Sequence, residues 1–173
     1  MKPLLENPLN LTEEDIFKPF SFEEFIQKKL KGCTLNPDGT YSCKGDVNLS
    51  DLGLTKFPVK FKEVKGDFNC NFNKLISLEG CPVKVGRSFK CAYNKLTTLE
   101  GSPKEVGGAF RCGRNKLTTL EGCPEIVGGY FDCYDNKLTT LKGAPREVAG
   151  HFYCYSNPVR KGKLKKTVKR SYL

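Results

Sequence analysis

The chain has 173 residues and a single histidine, His151, so a catalytic triad built on histidine has only one possible member for its base. No Cys-x-x-Cys pair occurs, and no Gly-rich phosphate loop follows a strand pattern; the recurring Val-Gly-Gly reads as a corner. No acidic pair recurs in a setting that would raise a carboxyl pKa. No apolar run approaches the length that spans a membrane, and residues 1–8 lack the apolar stretch of a signal peptide. These absences argue against an enzyme, a bound metal or cofactor, and a membrane partner. Nine cysteines would suggest disulfides in a secreted chain, but the count is odd and five share one repeat position. A cysteine in a repeating apolar column behaves as a small hydrophobe. Nine free thiols and a cytoplasmic location are therefore expected.

What is present is repetition. Phe68, Phe89, Phe110, Phe131 and Phe152 stand 21 residues apart. So do Cys70, Cys91, Cys112, Cys133 and Cys154, and so do Asn73, Asn94, Asn115, Asn136 and Asn157. The unit is Phe-x-Cys-x-x-Asn-x-Leu-x-x-Leu, then Gly-x-Pro and Val-Gly-Gly. Val47 and Leu49 open a degenerate first copy, in which Leu52 and Leu54 fill the Asn and Leu columns. A fixed period in this range marks a solenoid. Phe-x-Cys alternates with strand period, so Phe and Cys share the inner face. Parallel strands are expected at about 67–71, 88–92, 109–113, 130–134 and 151–155. A buried Asn at the end of each strand can bond backbone there and bridge neighbouring turns. The Leu-x-x-Leu-Glu-Gly-x-Pro side has too much Gly and Pro for a long helix. Cys81, Ser102, Cys123 and Ala144 share one column, which asks only for something small.

Three segments follow: an N-terminal cap at 1–46, six 21-residue repeats at 47–159, and a basic tail at 160–173. In the cap, Thr12 with Asp15 and Ser21 with Glu24 are capping-box pairs. The second starts a helix at about Phe22 to Lys31, with Phe22, Phe25, Ile26 and Leu30 on one face and Gly32 as its stop. A weaker helical turn falls at Glu13–Phe17. The helix covers the first turn's apolar end, and Phe17, Phe20 and Phe22 are the alternative, a docking surface. Asn36-Pro-Asp-Gly is a turn, and a hairpin of Thr40–Cys43 with Asp46–Leu49 leads into the repeats. The formal charge is +10, yet residues 1–159 hold only 22 basic against 19 acidic groups. The remainder sits in the tail, where Leu164, Val168 and Tyr172 could line one side of a capping helix.

Asn-x-Leu-x-x-Leu after an apolar-x-apolar strand resembles the leucine-rich repeat, especially the short, helix-poor bacterial kind. The stretch LTTLEGCPEIVGGYFDCYDNKLTTLKGAP is similar to the Leu-Glu-Gly-x-Pro repeat proteins of tailed bacteriophages. Gly86, Gly107 and Gly128 stand where the standard repeat has its first leucine, which points to a flatter, β-helix-like coil. The fold expected is a β-rich solenoid with a leucine-rich-repeat-like parallel sheet, an N-terminal α-helical cap and a basic C-terminal tail. The phage resemblance implies a host protein as partner, in the host cytoplasm, and an inhibitory role, against defence machinery for instance.

The columns flanking Phe-x-Cys carry the functional reading. They read Asp67, Asn69, Asn71; Ser88, Lys90, Ala92; Ala109, Arg111, Gly113; Tyr130, Asp132, Tyr134; and His151, Tyr153, Tyr155. The inner columns stay fixed while these change, and the last two sets hold four tyrosines and the histidine. Tyr and Arg anchor protein interfaces. The expected partner-binding set is Tyr130, Tyr134, Tyr153, Tyr155, His151, Arg111, Arg114, Asp132 and Lys90. The structural alternative is an aromatic ladder that stabilises an exposed sheet. A second function class is nucleic-acid binding through Lys161, Lys163, Lys165, Lys166, Lys169 and Arg170 with stacked tyrosines; Asp67, Asp132 and Asp135 on the same face speak against it. A third is a structural virion or assembly component.

Overall fold

The computed structural model describes residues 21–159 and 171–172. The Thr12–Asp15 pair, the turn at Glu13–Phe17, the side chains of Phe17, Phe20 and Phe22, and the tail cations lie outside the described residues. Helix α1 is Phe22–Lys29, two residues shorter than its expected end at Lys31. Ser21 closes its capping box: the Ser21 hydroxyl accepts the Glu24 N–H, and the Glu24 carboxylate accepts the Ser21 N–H. Gly32 follows at φ +81°. Phe25 and Leu30 are buried in the same apolar cluster as Val47, Leu49 and Leu54, so the helix shares the core of the first turn.

The strands in chain order are β1 Cys33–Leu35, β2 Thr40–Cys43, β3 Val47–Asn48, β4 Lys60–Val64, β5 Phe68–Asn69, β6 Lys84–Val85 and β7 Phe89–Lys90. They continue as β8 Glu105–Val106, β9 Phe110–Arg111, β10 Ile126–Val127, β11 Phe131–Asp132, β12 Glu147–Val148, β13 Phe152–Tyr153 and β14 Ser171–Tyr172. They form two seven-stranded sheets, ordered β1-β2-β4-β6-β8-β10-β12 and β14-β13-β11-β9-β7-β5-β3. Every pairing is parallel except β1 with β2, and Phe68, Phe89, Phe110, Phe131 and Phe152 pair in direct register. The described residues form a β-solenoid with one short helix, α1, near the N-terminal end.

The expected Phe and Cys columns are fully buried, and consecutive Phe rings stack at centroid distances of 5.1–5.7 Å. The strands are shorter than expected, because a 21-residue turn that must also round several corners leaves two residues per sheet per copy. The second sheet departs from expectation. Val-Gly-Gly is not only a corner: Val64, Val85, Val106, Val127 and Val148 are buried strand residues. One inward valine per turn, most often with glycine after it, is too short a pattern to show strand period. The predicted hairpin also moves. Cys33–Leu35 pairs antiparallel with Thr40–Cys43 around Asn36-Pro-Asp-Gly, whereas Thr40–Cys43 and Val47–Asn48 enter different sheets. Tyr172, expected on a capping helix, lies in β14 beside Tyr153.

The expectation of nine free thiols is corrected: Cys33 and Cys43 form a disulfide, since the antiparallel register sets them opposite each other. The other seven are free. Burial pushes the thiols of Cys70, Cys91 and Cys112 up, and that of Cys123 to about 12, so they stay protonated and unreactive in the fold. In the small-residue column, Cys81, Ser102 and Cys123 donate to the carbonyls of Gly101, Gly122 and Gly143 one turn on. No helix among the described residues is long and apolar enough to cross a membrane.

Each asparagine of the repeat ties two turns together. The Nδ2 of Asn94 donates to the carbonyls of Cys91 and Ala92 in its own turn and of Cys70 in the turn before. Its Oδ1 accepts the Leu75 N–H. Asn73, Asn115, Asn136 and Asn157 repeat the arrangement. The residue before each asparagine, and Asp51 before Leu52 in the first copy, turns the corner in the left-handed region: Asp51, Phe72, Tyr93, Arg114, Asp135 and Ser156 have φ between 51° and 58°.

Candidate functional site: an aromatic strip on the strand face

Strands β5, β7, β9, β11 and β13 hold Phe and Cys inward, so the residues between and beside them meet solvent or each other. Gly113 decides how. A Cβ there would fall on the Tyr134 ring, so the missing side chain is what lets Tyr134 lie across the neighbouring turn. The Tyr134 hydroxyl then reaches Tyr93, two turns away, and donates to its hydroxyl at 3.0 Å. The Arg114 guanidinium sits 5.2 Å from the Tyr93 ring centre and 5.9 Å from that of Tyr134, while its Nε is 3.2 Å from Asp135. Tyr93 stacks on Phe72 at 4.3 Å and Tyr134 on Tyr155 at 5.2 Å. The result is a continuous strip: Phe72, Tyr93, Arg114, Tyr134, Tyr155. Phe72 and Tyr155, at its two ends, are 52% and 46% exposed. Burial, then the bond to Tyr93, pushes the Tyr134 phenol up to about 12, so it is a neutral donor across the physiological range.

Tyr130 meets Tyr153 edge-on at 5.9 Å, and His151 lies 5.7 Å from Tyr153. This second cluster adjoins the C-terminal end of the strip. The expected set therefore divides. Tyr134, Tyr155 and Arg114 join the strip, and Tyr130, Tyr153 and His151 form the adjoining cluster. Lys90 is held by Asp67 at 2.6 Å, and Arg111 Nε faces Asp132 at 3.7 Å. Ala92, Ala109 and Asp132, placed outward by strand period, are nearly covered by their neighbours. Sequence reasoning missed Phe72 and Tyr93. Their signal was the freely varying column just before each asparagine, which the alternation rule does not count as part of the strand.

The acids of this face are already engaged. Burial tends to raise Asp67, but the Lys90 ammonium, the Ser88 N–H and the charge of Arg87 outweigh it and hold the carboxyl below its ordinary value. Asp132 goes the other way: burial raises it against the Tyr134 N–H and Arg111. A raised folded-state pKa contributes stability that is present below the ordinary carboxylate range and lost as pH rises through the folded value. Asp132→Asn should therefore unfold at higher temperature than wild type at pH 7, with the difference shrinking toward pH 3. Melting curves across that range check the sign.

A groove of about 880 Å³ lies along the other sheet, bordered by Val85, Pro103, Val106, Pro124 and Ile126 with the Lys84–Glu105 ion pair at 2.7 Å. Cys123 also lines it, with its thiol pushed up to about 12 by burial. Fold and site together define a β-solenoid repeat protein whose chemistry is concentrated in an aromatic and cationic strip. Comparison with protein-family models, with curated proteins and with solved structures found no match.

Proposed function

We propose that this is a non-enzymatic protein-binding module that uses the C-terminal half of its strand face. One observation carries the reading. The inner columns are held constant by packing, while Tyr130, Tyr134, Tyr153 and Tyr155 gather on outer columns that packing does not constrain. Tyrosine supplies rigid contact area at low entropic cost. Tyr134 also has internal partners, so part of its value is structural, and Tyr155, at the exposed end, is the better measure of recognition.

The resemblance to phage Leu-Glu-Gly-x-Pro proteins adds a host protein as partner and inhibition as outcome, in the host cytoplasm. Seven free thiols fit that compartment, and the Cys33–Cys43 disulfide is the feature that favours an oxidising one. Affinity capture from bacterial lysate, with and without nuclease, tests the class of partner. A protein retained after nuclease treatment by wild type, and lost by Tyr153→Ala/Tyr155→Ala, is expected. Retention that depends on nucleic acid would overturn the reading.

A further inference from the structure

A row of lysines runs beside the N-terminal part of the aromatic strip. Lys74, Lys95, Lys116 and Lys137 follow the four asparagines of the middle turns, 21 residues apart, and all four are exposed. Their backbones are locked in register: each N–H donates to the leucine carbonyl of the previous turn, from Lys74 to Leu54, Lys95 to Leu75, Lys116 to Leu96 and Lys137 to Leu117, at 2.8–2.9 Å. With turns about 4.8 Å apart, the four ammonium groups spread along roughly 14 Å of the solenoid axis. No ion pair among the described residues engages any of them.

The flanks of this ladder are nearly free of acid. On one side stand Ile76, Thr97, Thr118 and Thr139, all exposed and uncharged. On the other stand Phe72, Tyr93, Arg114 and Asp135, and Asp135 is already paired with Arg114. The glutamates of the repeat, Glu79, Glu100 and Glu121, lie five residues further on, past two buried leucines. So three consecutive turns present an aromatic or guanidinium group and a lysine two residues apart: Phe72 with Lys74, Tyr93 with Lys95, Arg114 with Lys116.

The backbone sets how these groups are presented. Phe72, Tyr93 and Arg114 occupy the left-handed region at φ 56°, 57° and 52°. The same corner conformation recurs at Asp51, Asp135 and Ser156, so it belongs to the turn and projects whatever side chain stands there. Phe72, Tyr93 and Arg114 place planar groups there, stacked along the solenoid axis next to the lysines.

We propose that the Lys74–Lys95–Lys116–Lys137 ladder, with Phe72, Tyr93 and Arg114 beside it, is a binding strip for a single-stranded nucleic acid. A line of like charges on a rigid axis complements a linear polyanion. Phe72, at the exposed end of the stacked row, offers its ring to an unpaired base, which stacks without regard to sequence, while Tyr93 and Arg114 behind it hold that ring in place. A duplex hides its base faces and gains nothing from the planar groups. This site is separate from the tail lysines and does not depend on the protein-binding reading.

The test uses the full-length protein and a fluorescein-labelled oligo-dT of about 12 nucleotides, comparable to a single-strand binding site. Four neutralised phosphates give a slope of log affinity against log salt of about −2.8 from the ladder, about a 50-fold loss between 50 and 200 mM salt. K74Q/K95Q/K116Q/K137Q should remove that share of the slope and weaken binding at least tenfold at the lower salt. It should melt within a few degrees of wild type, since all four side chains are exposed. The same decrement should appear when the tail lysines are already glutamine, and Phe72→Ala should weaken binding at least about fivefold. An unchanged slope in the quadruple variant would overturn the proposal. So would equal affinity for a duplex of the same length, or equally effective displacement by a poly-glutamate peptide. Loss of protein-partner capture in the tyrosine variants, with oligonucleotide binding intact, would show two independent surfaces.

Discussion

Gly122→Ala is expected to cost about 3 kcal/mol, lowering the melting temperature by roughly 10 °C for a chain of this size. Two effects add. Gly122 has φ +89°, a conformation that an L-residue adopts only with strain. A Cβ there would also lie 2.6 Å from the Leu99 carbonyl carbon and 2.7 Å from its oxygen, backbone that cannot swing aside. The Gly122 carbonyl accepts the Ser102 hydroxyl at 2.6 Å, so a shift of Gly122 also disturbs the contact with the preceding turn. Gly80 is the internal control. It has the same sign of φ, +88°, but a Cβ there would stand 3.4 Å from the Val59 carbonyl oxygen, an ordinary contact. Gly80→Ala should therefore cost about 1 kcal/mol, the conformational share alone. Equal melting temperatures for the two variants would show that the turns stack less closely than described here.

Asn94→Ala should cost about as much, roughly 3 kcal/mol, by a different route. The change strands the Leu75 N–H and removes a donor from three carbonyls, those of Cys70, Cys91 and Ala92. Asn94 is buried, so water does not replace those bonds cheaply. In a solenoid each turn touches only its neighbours, so a fault in the middle separates the two halves energetically. Asn157→Ala, at the last copy and partly exposed, should cost less. Denaturant titration gives both values; a shift under about 0.5 kcal/mol for Asn94→Ala would mean the column carries little of the inter-turn coupling.

The repeat was legible because its inner columns are fixed by burial: Phe, Cys, Asn and Leu recur at one period, and the structure stacks them in that register. The second sheet was not, since a single inward valine per turn gives no alternation to read. The Cys33–Cys43 disulfide was hidden for a similar reason. Its pairing follows from an antiparallel register around Asn36-Pro-Asp-Gly, and the sequence equally allowed Thr40–Cys43 to pair onward. At the site, strand period anticipates that Tyr130 meets Tyr153 and Tyr134 meets Tyr155 on neighbouring turns. It could not foresee that Gly113 opens a path for Tyr134 to reach Tyr93. It also could not foresee that Phe72, Tyr93 and Arg114 project from a left-handed corner, because a corner residue obeys neither helical nor strand periodicity. Asp132 shows the converse: alternation places it outward, and its neighbours cover it.

The most direct measurement is the dissociation constant of the captured protein partner for wild type, for Tyr153→Ala and Tyr155→Ala, and for a comparison set of Asn69→Ala and Ser88→Ala on the same face. Recognition centred on the C-terminal tyrosines predicts a loss of about 30-fold or more, about 2 kcal/mol, for at least one tyrosine variant. It predicts little change for the comparison set, and melting temperatures within a few degrees of wild type throughout. A larger loss at Asn69 or Ser88, or tyrosine variants that lose stability while keeping their affinity, would contradict it and leave the tyrosines as a ladder that only supports the sheet.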